Sequence, residues 1–143
     1  MAYKFLEHTA DLKVSVSEAS IEKAFISSAN ALGEAIREKI KIKENIKKEI
    51  KVEGRDYQSL LYNFLEEFLY LLDAEGFIFS EIEKIKIKQE NVDKILLSCI
   101  VLGDKAGNYK FTNDVKAITY NDMLVKLRKN KVEIGRASCR ERV

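Results

Sequence analysis

Three short segments hold the residue types able to do chemistry. The first, Leu6-Glu7-His8-Thr9-Ala10-Asp11, places the single histidine of the chain three positions before an aspartate. An imidazole and a carboxylate at a chain corner can move protons or hold a cation. The second, Val115-Lys116-Ala117-Ile118-Thr119-Tyr120, offers in Lys116 a compact positive charge suited to a phosphate or an acidic partner. The third, Val52-Glu53-Gly54-Arg55-Asp56, clusters three charges around a glycine. Each also has a plainer structural meaning. His8 and Asp11 suit a turn between strands, Lys116 an outward position on a strand, and Asp56 the cap of a helix. If His8, Asp11 and Lys116 shared a surface they could activate water, as in a small metal-dependent hydrolase. One histidine and no second convergent carboxylate pair supply that chemistry poorly. The chain has no phosphate-binding glycine loop, nucleophile elbow, H-E-x-x-H run or paired cysteine set.

The elements that must position these residues follow from periodicity. Tyr3 to Glu7 and Leu12 to Ser17 alternate as two short strands around the polar corner. Ile21, Phe25, Ser28, Leu32 and Ile36 recur at helical spacing, with Ser20 as N-cap, and predict a helix over 21–36. Ile46, Ile50 and Val52 alternate with Lys and Glu in a strand ending at Gly54. Asp56 then caps a helix over Tyr57 to Asp73, whose leucines and phenylalanines cover more than one stripe, and Gly76 ends it. Phe77 to Phe79, Ile85 to Lys88 and Lys94 to Leu102 are expected as separate strands, the last of them central, followed by a turn over Gly103 to Asn108. Val115 to Tyr120 and Met123 to Leu127 read as a hairpin around Asn121-Asp122. The order predicts a single α+β domain with two helices packed on a mixed, largely antiparallel sheet.

At 143 residues, 46% hydrophobic and 34% charged, the chain suits one folded domain. It shows no signal sequence and no apolar run of the roughly 20 residues a bilayer requires, so a cytoplasmic protein without membrane attachment is expected. The last ten residues, Ile134 to Val143, read IGRASCRERV and resemble one frame of a common sequencing adapter. They are expected to be a non-native tail without fold, leaving 1–133 as the domain. Without the three arginines and one glutamate of that tail, 22 basic and 22 acidic residues remain. A neutral body does not favour strong direct nucleic-acid binding. The tail also contains Cys139, so only Cys99, in an apolar run, belongs to the body, which makes neither a disulfide nor a metal knuckle.

Four stretches in this order, YKFLEHTADLKVSV, AFISSANAL, VEGRDYQSLLYNFLEEFLYLLDAEGFIFS and DVKAITYNDMLV, resemble the archease family over nearly all of Tyr3 to Val125. The resemblance implies an α+β fold and a non-catalytic accessory role. Such a protein promotes guanylylation and turnover of the metal-dependent RNA ligase of tRNA splicing. A second implied role is a chaperone tuning the specificity of a tRNA cytosine methyltransferase. It further implies a divalent-cation site, most simply for Ca²⁺, built from Asp11 with a carboxylate and a carbonyl of a C-terminal Asp-Ile pair. Here that ending is missing after Lys131-Val132-Glu133, and Glu141 does not match it. A hard cation needs several oxygens, so binding in this chain is expected to be weak or absent. His8, Asp11 and Lys116 are the positions the resemblance implies for contact with the ligase.

Overall fold

The structure is a computed structural model that describes residues 3–6, 11–37, 40–110, 115–119, 124–128 and 131–141, with side chains for 17–37 and 40–110. The elements run β1 (Tyr3–Leu6), β2 (Asp11–Glu18), α1 (Ile21–Arg37), β3 (Ile46–Gly54), α2 (Tyr57–Glu75), β4 (Phe77–Asn91), β5 (Lys94–Lys105), a 3₁₀ turn (Ala106–Asn108), β6 (Val115–Thr119), β7 (Leu124–Arg128) and β8 (Lys131–Glu141). The expected α+β class with two helices holds. In place of one mixed sheet the strands form two, ordered β1-β2-β8-β6 with β7 also on β8, and β3-β5-β4. Every ladder among the described residues is antiparallel.

Local sequence sets the helix ends. The Ser20 hydroxyl accepts from the Lys23 amide at 3.2 Å, capping α1. Asp56 accepts from the Ser59 amide at 2.7 Å while Ser59 Oγ accepts from the Asp56 amide at 3.1 Å, a reciprocal box that satisfies two otherwise orphaned donors. Removing the Asp56 carboxylate with Asp56→Ala is expected to destabilise the fold by about 0.5–2 kcal/mol, read as a lower denaturation midpoint at unchanged slope. Gly76 ends α2 at φ 61°, the left-handed conformation that a Cβ disfavours.

Both helices pack against strands of both sheets. Phe25, Leu32, Leu60, Leu61, Phe64 and Leu65 are buried with Ile50, Leu97 and Val101 of the three-stranded sheet. Arg37 closes one edge by donating to the Phe79 carbonyl at 3.0 Å with its guanidinium 5.1 Å from that ring. At the same end of β5, the Tyr109 hydroxyl donates to Asp104 at 2.7 Å and accepts from the Lys43 amide at 3.0 Å, tying the 40–45 connection to the sheet. The Tyr109 bond and the Lys105 amide hold the Asp104 carboxyl below its ordinary range.

Four expectations are corrected by the strand ladders. Phe77–Phe79 and Ile85–Lys88 belong to one long strand, β4. Its alternation breaks at register shifts, one spanning Lys84 at φ 54°, that keep Ile82, Ile85 and Ile87 on the core side. The turn over Gly103 to Asn108 begins later, because β5 continues to Lys105 before the 3₁₀ turn. β6 and β7 do not pair with each other. Both lie along one edge of β8, β6 against Ser138–Glu141 and β7 against Lys131–Gly135. The Asn121-Asp122 turn lies outside the described residues.

The fourth correction concerns the tail, where β8 runs through Lys131–Glu141 and stands between β2 and β6. Its ladder sets Val16, Val14 and Leu12 opposite Ile134, Ala137 and Cys139, with a shift between Val14 and Val16 that absorbs one extra residue of β8. The apolar positions of IGRASCRERV therefore change phase once, at a bulge, which hides the strand from a simple alternation count.

Candidate functional site

Asp11 opens β2 and pairs with Arg140 of β8. Arg140 pairs in turn with Ala117 of β6. Asp11, Arg140 and Ala117 thus form one row across three strands, and two strand spacings put the outer members roughly 10 Å apart. The β6 ladder passes from Val115 opposite Glu141 to Ala117 opposite Arg140, so Lys116 is the extra residue of a bulge beside this row. Bulges commonly re-aim a chain next to a functional site. His8 lies outside the described residues. The sequence named Asp11 and Lys116 separately. Their common row, and Arg140 between them, follow only from long-range pairing.

The residues of this row do not suit a hard cation. Such an ion wants several oxygens with net negative charge, and the position paired with Asp11 is an arginine. Among the described residues no group of three or more His, Cys, Asp or Glu could hold a metal ion.

The third segment resolves into structure. Glu53 accepts from the Asn63 side-chain amide at 2.8 Å through its carbonyl, and Asp56 is the α2 cap. At Gly54 an added Cβ would sit 2.6 Å from Leu60 Cα, so glycine lets the strand end reach the first turn of α2. Cys99 is buried in β5, and loss of solvation pushes its thiol up to about 12, which rules out a thiolate nucleophile at neutral pH.

Comparison with known proteins decides the relationship. The model described as "Archease protein family (MTH1598/TM1083)" matches residues 3–136. The chain belongs to the archease family. It is 40% identical over 125 residues to "Protein archease" of Pyrococcus furiosus, covering 86% of this chain and 87% of that protein. "Protein archease-like" of Drosophila melanogaster is 32% identical over 127 residues, covering 87% of this chain and 80% of the relative. The solution structure of Methanobacterium thermoautotrophicum protein 1598 superposes with a TM-score of 0.81 at 24% identity, covering 96% of this chain and 97% of that one, a likeness of fold. The archease match ends at Arg136, inside β8, so the expected boundary after Glu133 coincides with neither the family match nor the strand. No helix of the described residues is long and apolar enough to cross a membrane.

Proposed function

We propose that this protein is a non-catalytic, cytoplasmic accessory protein that activates the GTP-dependent RNA ligase of tRNA splicing, promoting its guanylylation and turnover. The observation that carries the reading is membership of the archease family together with the Asp11–Arg140–Ala117 row. That row gathers Asp11 and the bulged Lys116 at one end of the five-stranded sheet. An acid and a base held at fixed separation on a sheet can dock on complementary charges of a partner. A lysine delivered near a reacting phosphate would stabilise charge that develops there. His8, which the family resemblance implies for contact with the ligase, stands three positions before Asp11 in the sequence. The chain supplies position and charge while the ligase supplies the chemistry.

Activation here proceeds without a tightly held cation. Titration of the purified protein with Ca²⁺ or Mg²⁺ by calorimetry is expected to give no tight binding, because the position paired with Asp11 is an arginine, which adds no oxygen to the shell a hard cation needs. Tight stoichiometric Ca²⁺ uptake contradicts this part of the reading. The function itself is tested by joining tRNA halves with a limiting amount of ligase, in the presence and absence of this protein, and counting turnovers.

A further inference from the structure

The outer face of the three-stranded sheet carries a charge pattern unrelated to the Asp11 row. Cα partners across β3, β5 and β4 give four successive rows. The first is Lys47, Leu102 and Glu81. The second is Glu49, Ile100 and Glu83. The third is Lys51, Ser98 and Lys86, and the fourth is Glu53, Leu96 and Lys88. Residues paired in register share a face. The alternate set on β5, Ile95, Leu97, Cys99 and Val101, is buried in the core, whereas Leu96, Ser98, Ile100 and Leu102 are half-buried and stand outside it. The charged flanks are mostly exposed, Lys47, Glu49, Lys51 and Glu53 each by 61–75% of the side chain. The face is therefore an aliphatic stripe between two charged columns.

We propose that this face is a self-complementary surface on which a second copy of the chain docks. A two-fold axis lying between the sheets and perpendicular to the strands keeps each column over itself and reverses the rows. The first row then meets the fourth and the second meets the third. Lys47 stands over Glu53, Glu49 over Lys51, Glu81 over Lys88, Glu83 over Lys86, and Leu102 over Leu96, each twice by symmetry. An axis along the strands would keep Lys47 over Glu81 and Glu53 over Lys88 but set Glu49 over Glu83 and Lys51 over Lys86, two rows of like charge where the first axis has none, so the charges favour one orientation. Four lysines matched by four glutamates also disfavour a polyanion such as RNA as occupant. The charges within one copy leave the pattern available. Lys47–Glu83 at 4.0 Å, Lys51–Glu49 at 3.0 Å and Lys94–Glu53 at 3.4 Å are exposed pairs of little individual worth. At the acidic end, desolvation and then the neighbouring Glu81 push the Glu44 carboxyl above its ordinary value. At the basic end Lys51, Lys86 and Lys88 line a shallow cleft of about 590 Å³ with Leu96 and Ser98.

Strand spacing and rise give on the order of 400 Å² of sheet plane per copy, below a standard stable interface, so the association is weak and electrostatic. Sedimentation equilibrium over increasing protein concentration is expected to show monomer passing to dimer at low salt and monomer alone at high salt. Lys88→Glu sets two like-charge contacts into the dimer and is expected to raise the dissociation constant at least tenfold. The double variant Glu81→Lys with Lys88→Glu restores opposite charges between copies and is expected to recover dimerisation. Within one copy these residues are about 20 Å apart along β4, so recovery cannot arise inside a monomer. Circular dichroism of each variant separates loss of folding from loss of association. A wild-type protein that stays monomeric at every concentration, a Lys88→Glu variant that dimerises normally, or a double variant that is not recovered overturns the proposal. So does a monomer that gains mass only when RNA is added.

Discussion

Replacing Phe64 with alanine is expected to remove about 3–5 kcal/mol of stability, a large share of the total margin of order 5–15 kcal/mol that such a domain has. Phe64 is fully buried on α2, with its ring centroid 5.0 Å from Phe68 in an edge-to-face arrangement and 5.9 Å from Phe25 of α1. Phe68 in turn lies 4.4 Å from Phe79 of β4, so one truncation opens a void where both helices meet the three-stranded sheet. Aromatic pairing adds a directional component beyond the area buried. Tyr70 is 54% exposed on the same helix, and Tyr70→Ala is expected to shift stability by no more than about 0.5 kcal/mol. Urea titrations of the two variants side by side check the contrast. Similar midpoints would mean that the aromatic chain is not what joins the helices to the sheet.

The second large effect is on activity. Asp11→Ala and Lys116→Ala are each expected to lower the stimulation of the ligase by tenfold or more while leaving the denaturation midpoint close to that of the parent. Truncating either changes one charge at the end of the five-stranded sheet and removes nothing from the described core. The two charges have different expected substitutes. Asp11→Glu and Lys116→Arg keep the sign, so partial recovery is expected if charge is the contact, whereas Asp11→Asn is expected to behave like alanine.

The segments holding those residues stand out in the sequence because they are short and local, while the contact role of Asp11 and Lys116 is what the family resemblance implies; the same locality made several element boundaries legible. Ser20, Asp56 and Gly76 mark helix ends through hydrogen bonds or a backbone conformation reaching only a few residues away. β3 ends at Gly54 for the same reason, since its alternation and its glycine sit side by side. Strand pairing is a different kind of information. That β8 inserts between β2 and β6, and that β6 and β7 share one of its edges, depends on contacts between residues more than a hundred positions apart for Asp11 and Arg140. Bulges hid more. The shifts within β4 and the phase change of β8 interrupt the two-residue period, so one long strand reads as two and a strand reads as a tail without fold. The rows on the outer face of the small sheet were half visible. Lys47, Glu49, Lys51 and Glu53 alternate openly in β3, but their match with Glu81, Glu83, Lys86 and Lys88 needed the register through β5.

The most direct measurement is the turnover of a tRNA-splicing RNA ligase on cyclic-phosphate and 5′-hydroxyl ends, with the ligase limiting and GTP in excess. Adding this protein is expected to carry the ligase through many rounds, and adding the Asp11→Ala protein at the same concentration is expected to leave it near the unassisted level. A ligase that turns over equally well with the parent, with the Asp11→Ala protein and with neither contradicts the assignment as an activator. Equal stimulation by parent and variant contradicts the role given to Asp11.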